Sequence, residues 1–267
     1  MRLFFLLVAL SLLSCSRKED QRPVRTDPEP AVVAPPSAQG TLLEPVALVE
    51  LFTSEGCSSC PPADRNLTRI AYAARDDDRR VIALSFHVDY WNYIGWTDPF
   101  SSVEYSERQR RYAKRLGSGV YTPQMVVGGR EHFLGSSGDK ADAAILRALT
   151  RPASHGIALV STDGQRVAFE VTGPTTDASI YVAVAQGASG IKVQTGENAG
   201  RSLSHVNVVR SLSSERARVP ARGQLALKVP VDVDRASAMV VGWVEDAKTG
   251  HVLGAVAKSG LLVSRSP

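Results

Sequence analysis

The fold of this chain is decided by one stretch, residues 46–63, which reads Val46-Ala47-Leu48-Val49-Glu50-Leu51-Phe52-Thr53-Ser54-Glu55-Gly56-Cys57-Ser58-Ser59-Cys60-Pro61-Pro62-Ala63. The nearly continuous apolar run over residues 46–53 is typical of a strand that is covered on both faces of its sheet. Two cysteines separated by two residues follow it, and a proline suits the first turn of a helix. The stretch therefore predicts a buried strand, a cysteine-bearing loop and a helix that begins near Pro61.

Strands and helices continue to alternate after this stretch. The patterns predict a helix over 61–74, a strand over 81–86, a helix over 103–116, strands over 124–127 and 131–134, and a helix over 139–149. Short strands alternating with helices predict a central sheet covered on both sides, with right-handed crossovers. The order β-α-β-α-β-β-α is that of an α/β thioredoxin-like core, which we assign to residues 42–152.

The pattern changes after Pro152. Short alternating runs over 156–161 and 166–172 are separated by Asp163-Gly164, a hairpin signal, and further runs follow over 180–185, 225–233, 239–245 and 252–257. No convincing helical stretch interrupts them. The sequence therefore predicts that residues 153–267 form an all-β domain, a small sandwich of about immunoglobulin-domain size.

The N-terminus has the features of an export signal. Arg2 precedes an apolar run over residues 3–13, which is too short for a transmembrane helix of about 20 residues. Leu12-Leu13-Ser14-Cys15 resembles a bacterial lipobox, so residues 1–14 are interpreted as a signal peptide and Cys15 as the lipidated residue. Residues 15–41 then form a lipidated, proline-rich tether, because their composition cannot bury enough apolar surface to fold.

These features predict a location in the cell envelope of a Gram-negative bacterium. The lipid on Cys15 would attach the protein to a membrane facing the periplasm, and Ser16 in place of aspartate favours the outer membrane over the inner one. The net charge is only +4 and no dense basic run occurs, so the sequence does not indicate a nucleic-acid partner.

The remaining cysteines form an isolated pair suited to thiol–disulfide chemistry. Lipidation of Cys15 leaves Cys57 and Cys60, which close a loop too small to stabilise a fold strongly. The position before a helix favours a thiolate, so we expect Cys57 to be the exposed nucleophile and Cys60 the shielded resolving thiol. Protein thiols or disulfides of the envelope are the expected partners. A structural zinc site would need about four ligands, so no metal and no cofactor is predicted here.

Several segments resemble the bacterial DUF1223 family, whose function is unknown. They are residues 49–64, His87-Val88-Asp89-Tyr90-Trp91, Gly95-Trp96, Asp98-Pro99-Phe100, Tyr121-Thr122-Pro123-Gln124, Gly196-Glu197-Asn198-Ala199-Gly200-Arg201 and Asn207-Val208-Val209-Arg210. The resemblance covers the chain from about Val46 onward and implies a secreted thioredoxin-like protein, without supplying an activity.

Resemblance to thioredoxin-like folds also implies a substrate groove. In such folds a cis-proline opens the strand beside the cysteines, which assigns Thr122 and Pro123 to that groove. One departure is that Gly56 stands where ordinary thioredoxins commonly carry a tryptophan. A second is that Pro61-Pro62 follows Cys60 directly, which places Cys57 in the loop before the helix.

Three polar residues are candidates for tuning the cysteine pair. Glu50 lies in an apolar strand, where it could relay protons or reach solvent at the strand end. His87 and Asp89 follow the second strand, whose carboxyl end should share an edge with the cysteines, although a local hydrogen-bonded loop is an alternative role. The nearby aromatic residues could wall the site or pack in the core.

The first functional hypothesis is an envelope thiol–disulfide oxidoreductase, and the residues leave its oxidase, reductase or isomerase direction open because direction depends on reduction potential. A second is a Cu(I)-binding module or chaperone, because two thiolates and one imidazole from Cys57, Cys60 and His87 suit that ion. A third is a non-catalytic binding lipoprotein on a thioredoxin-like scaffold, in which the β domain binds the partner.

Overall fold

A computed structural model describes residues 43–76, 80–162 and 164–262 of the chain. The deciding stretch folds as strand β1 (Ala47–Thr53), a cysteine-bearing turn and helix α1 (Pro61–Asp76), so the predicted helix start is confirmed. The predictions of a signal peptide over residues 1–14, of lipidation at Cys15 and of a tether over 15–41 lie outside the described residues.

The first half follows the predicted order of elements. It continues with β2 (Val81–His87), α2 (Val103–Leu116), β3 (Gln124–Val127), β4 (Glu131–Leu134) and α3 (Gly138–Leu149), and a 3-10 turn covers Asn92–Ile94. Strand β1 pairs in parallel with β2 and antiparallel with β3, which in turn pairs antiparallel with β4. The sheet is therefore mixed, with β1 between β2 and β3.

Alternate side chains of β1 enter two different cores, because successive residues of a strand point to opposite faces. Val49 and Leu51 pack with apolar residues of α1 and α3. Leu48 and Phe52 pack on the other face with residues of α2. Both faces of the strand are buried, as its apolar sequence predicts.

In the described residues of the second half, the regular secondary structure consists of strands, without a helix. They are β5 (Gly156–Thr162), β6 (Arg166–Lys192), β7 (Ser202–Ala226), β8 (Met239–Asp246) and β9 (Val252–Ser259). Strands β6 and β7 form one long antiparallel hairpin.

The sequence predictions for this hairpin were incomplete. The patterns indicate two short strands where β6 is continuous, and they indicate almost none of β7. Of the strand predicted over 225–233, only the first two residues belong to β7. The reason is local. Gly173-Pro174 has the composition of a break, yet β6 continues through it with a shift of register against β7 between Val171 and Thr176.

The strands of the second half join the sheet of the first, so the predicted separate sandwich is corrected. The nine-stranded sheet has the order β4-β3-β1-β2-β7-β6-β8-β9, with β5 paired to β6. The joint is a parallel bridge between Ser85 of β2 and Val208 of β7, and the Asn207 side chain donates a 2.9 Å hydrogen bond to the Ala83 carbonyl. The structure is thus mostly mixed β-sheet with three α-helices in the described residues.

The joint is stabilised by shared apolar cores. Val206 packs with the core beneath α1 and α3, while Val209 and Trp243 pack with the core beneath α2. Strand β7 also covers the edge of β2, whose backbone groups would otherwise be unpaired. None of the helices in the described part of the chain has the length and hydropathy needed to cross a membrane.

Candidate functional site

The two cysteines form a disulfide at the start of α1. Cys57 lies in the turn before the helix, and the carbonyl of Cys60 accepts hydrogen bonds from the N–H groups of Ala63 and Asp64. Both cysteines are fully buried, whereas Ser58 and Ser59 between them are exposed. The expectation that Cys57 is exposed is therefore wrong for the disulfide form, because other segments cover it.

The first covering segment is the one predicted to form the substrate groove. The hydroxyl of Thr122 donates to Sγ of Cys57 at 3.4 Å and accepts a 2.7 Å hydrogen bond from Nε1 of Trp91. The Thr122–Pro123 peptide bond is cis, as the thioredoxin-like resemblance implied. Thr122 is therefore in direct contact with the disulfide.

The second covering segment is the turn between β6 and β7, residues 193–201. The side-chain amide of Asn198 is buried and donates to the carbonyls of Glu55 (2.8 Å) and Cys57 (3.0 Å). The carboxylate of Glu197 accepts a 3.0 Å hydrogen bond from the N–H of Ser58. We name residues 193–201 the covering loop. The sequence alone indicates no role for this loop, although its segment 196–201 is among those that resemble DUF1223.

The third covering segment is the aromatic loop after β2. A Cβ atom on Gly56 would lie 3.1 Å from Cδ1 of Ile94 and 3.2 Å from Cβ of Trp91, so glycine lets this loop pack directly on the cysteine-bearing turn. Trp96 donates a 2.8 Å hydrogen bond to the Glu55 carboxylate, whereas Tyr93 is largely exposed. Trp91 and Trp96 thus line the site, and glycine at position 56 leaves the room that Trp91 and Ile94 occupy.

A buried group of charged residues lies beneath this turn. Nε2 of His205, on β7, is 3.4 Å from Oε1 of Glu55, and its Nδ1 is 3.9 Å from Oδ1 of Asp64 on α1. Burial disfavours the charged imidazole, but the carboxylates of Asp64 and Glu55 outweigh it and raise the pKa of His205 to about 10. The contacts are ion pairs rather than well-aligned hydrogen bonds, since neither ring nitrogen has a hydrogen-bond partner among the described residues. Nothing in the local sequence distinguishes His205.

His87 belongs to the same buried region. Its Nδ1 is 2.7 Å from Oδ2 of Asp98, and its ring lies 4.6 Å from that of His205. Burial raises the pKa of Asp98, but His87 and the N–H groups of Glu55 and Phe100 lower it more, so the net pKa lies below its ordinary value. His87 therefore lies in the charged group beneath the turn, and its polar partner is Asp98.

The other two tuning candidates lie elsewhere. Asp89 accepts a hydrogen bond from the hydroxyl of Ser106, which ties the loop after β2 to helix α2. Glu50 accepts hydrogen bonds from Nε of Arg108 (2.7 Å) and from the hydroxyl of Tyr112, on the α2 face of the sheet. Their polar contacts connect them to α2. Of the two roles considered for Glu50, a proton relay has no support from these contacts, and a side chain that reaches solvent is wrong because Glu50 is buried.

Glu50 belongs to a second buried charged group. Arg108 also donates to Glu245, and its guanidinium lies 4.6 Å from the ring centre of Tyr181 and 5.0 Å from that of Trp243. Burial is the largest influence on the pKa of Glu50 and raises it above its ordinary value despite the neighbouring arginine. Because these residues come from α2, β1, β6 and β8, the group joins the two halves of the sheet.

The described residues contain no group of three or more His, Cys, Asp or Glu side chains arranged to hold a metal ion. The copper hypothesis requires Cys57, Cys60 and His87 to converge. In this structure the two sulfurs are bonded to each other. Among the described residues, His87 pairs with Asp98 and packs against the rings of Phe100 and His205.

A family model described as "Protein of unknown function (DUF1223)" matches residues 48–245, a range that includes the disulfide, the covering loop and His205. This chain belongs to the DUF1223 family.

No curated protein matches it significantly. A crystal structure of an Agrobacterium tumefaciens protein is similar at 28% identity and a TM-score of 0.64, covering 84% of this chain and 99% of that one. HBP35 of Porphyromonas gingivalis is similar in fold, at 13% identity and a TM-score of 0.56, covering 84% of this chain and 79% of that one. The family match extends across both halves, consistent with their single sheet.

Proposed function

We propose that this DUF1223 protein exchanges thiols and disulfides through Cys57 and Cys60. The observation that carries the proposal is the disulfide itself, formed between neighbouring cysteines at the junction of a buried strand and a helix. A bridge that closes so small a loop adds little to stability, so chemistry is the better reason for it. Its placement against Thr122 supports the same view.

We further propose that residues 42–152 are a thioredoxin-like unit. Support comes from the element order and from the strand order β4-β3-β1-β2 with helices on both faces. The added strands β5 to β9 extend this unit beyond β2, and their covering loop contributes to the site.

In the proposed reaction, a substrate thiolate attacks Sγ of Cys57. The Cys57–Cys60 bond breaks, a mixed disulfide forms at Cys57, and Cys60 leaves as a thiolate. A second substrate thiolate then attacks the substrate sulfur and releases the reduced pair, so two thiols become one disulfide. The same steps in reverse reduce a substrate disulfide. Since both cysteines are buried, the covering segments must move before the first attack.

A trapping experiment tests this proposal. The full chain carrying Cys15→Ser, which removes the third thiol, should equilibrate with glutathione. Adding Cys60→Ser should accumulate mixed disulfides at Cys57, whereas adding Cys57→Ser should not. Failure of the Cys15→Ser protein to exchange with glutathione would reject the proposed function and favour the non-catalytic binding protein.

We also propose that the protein is a lipoprotein of the Gram-negative envelope, attached through Cys15 to the outer membrane and facing the periplasm. The support is the signal-like segment and lipobox of the sequence. Metabolic labelling with palmitate should tag the wild-type protein but not Cys15→Ser. Equal labelling of the two would reject the anchor and leave the redox proposal intact.

A further inference from the structure

His205 stands between the two chain segments that hold the disulfide. On one side is Glu55, two residues before Cys57, and on the other is Asp64, whose N–H donates to the Cys60 carbonyl at 3.1 Å. Asn198 connects Glu55 to Cys57 by donating to the carbonyls of both. A side chain from β7 therefore contacts both flanks of a cysteine pair on α1 and its preceding turn.

We propose that His205 is a positioning residue for the Cys57–Cys60 pair. The His205 side chain ties the cysteine-bearing turn to α1, and its positive charge favours the reduced form of the pair. The inference rests on the proposed function and extends it to a residue of the second half. A protonated His205 offsets the negative charges of Glu55 and Asp64, which flank the cysteines and disfavour a thiolate. Stabilising the reduced form in this way makes a disulfide more oxidising.

The surroundings of His205 agree with a charged imidazole. The turn contributes Glu55, α1 contributes Asp64, and β2 contributes the ring of His87, whose own partner is Asp98. The ring of Phe100 packs at 6.1 Å, and the side chain of His205 is almost completely buried. Both carboxylates lie within ion-pair distance, and burial limits the screening of their charges by water.

The experiment measures the glutathione equilibrium of the full Cys15→Ser chain and the pH profile of cysteine alkylation. His205→Gln removes the charge and should shift the equilibrium about tenfold toward the disulfide, a change of about 1.4 kcal/mol. The pKa of Cys57, read from the alkylation profile, should rise with it. Asp64→Asn removes a negative charge from the same group and should shift both values in the opposite direction. His155→Gln is the control, since His155 is also buried but contacts Ser154 and the Pro174 carbonyl.

Opposite shifts in His205→Gln and Asp64→Asn, with no shift in His155→Gln, support the inference. Shifts in the same direction would indicate general loosening and overturn it, as would unchanged values in His205→Gln. If His205→Gln does not fold, His205→Asn is measured in its place and judged by the same shifts. These outcomes presuppose exchange by the Cys15→Ser parent, so its failure to react rejects the proposed function instead.

Discussion

The side chain of Asn198 donates a 3.0 Å hydrogen bond to the carbonyl oxygen of Cys57, across 141 positions of sequence. A second hydrogen bond from the same amide reaches the carbonyl of Glu55 at 2.8 Å. The turn that carries the disulfide is therefore held by a loop from the other half of the chain. Reactivity of the disulfide should depend on this loop.

Asn198→Ala should loosen the turn and speed reduction of the disulfide. The Glu55 carbonyl loses its Asn198 donor and the Cys57 carbonyl keeps only the N–H of Cys60, at a cost of about 1–3 kcal/mol to folding stability. If opening of the turn limits attack, reduction by dithiothreitol should become about tenfold faster, since each 1.4 kcal/mol is a factor of ten. Stopped-flow or quenched alkylation in the Cys15→Ser chain measures the rate. Gln194→Ala, an exposed change in the same loop, is the control, and equal rates in all three proteins would show that the loop does not restrict access.

Arg108→Met should strongly destabilise the protein. Removing the guanidinium leaves the buried Glu50 without an arginine partner and leaves Glu245 with only Arg115, at 3.7 Å, which costs about 3–5 kcal/mol. Urea unfolding monitored by tryptophan fluorescence measures the loss. Arg110→Met lies on the same helix at an exposed position and should change stability by no more than about 0.5 kcal/mol. Similar losses in both variants would contradict the importance of the buried group.

The ion pairs of His205 should make stability depend on pH above neutrality. Its folded pKa of about 10 is higher than its ordinary value of 6.5. The stabilising contribution is therefore fully present below about pH 6.5 and is lost as the pH rises toward 10. The free energy of unfolding of the wild type should fall across this window more steeply than that of His205→Gln. Parallel curves for the two proteins would mean that the folded and unfolded states titrate alike at this residue.

Gly56→Trp should disturb the aromatic loop rather than restore an ordinary thioredoxin site. Even a Cβ at position 56 lies only 3.1 Å from Ile94 and 3.2 Å from Trp91, so a tryptophan must displace them. We expect a loss of stability of about 1–3 kcal/mol, typical of overpacking. Gly119→Ala is a matched control, because the space around its Cβ is open. Thermal unfolding of both proteins provides the test, and a wild-type midpoint for Gly56→Trp would refute this explanation of the glycine.

Around the disulfide, some features follow from the local sequence and others depend on distant segments. The strand, the turn and the helix start at Pro61 were predictable because apolar patterning and proline act locally. Burial of Cys57 was not, because it depends on Thr122, Trp91 and the covering loop, which are distant in sequence. His87 and Asp98 both lie in segments that resemble DUF1223, but only the tertiary structure shows that they pair.

The sequence by itself determined the family, the cysteine pair and the order of elements in the first half. It also determined that the described residues after α3 form strands and no helix. These follow from motifs and from periodicities that each segment expresses alone. Only the tertiary structure decided that β7 extends the first sheet at Ser85 and Val208, and that His205 enters the charged group beneath the turn. A strand edge and a buried histidine acquire partners through long-range packing. No local pattern encodes which of several apolar strands will cover β2, or which polar side chain will come to lie between Glu55 and Asp64.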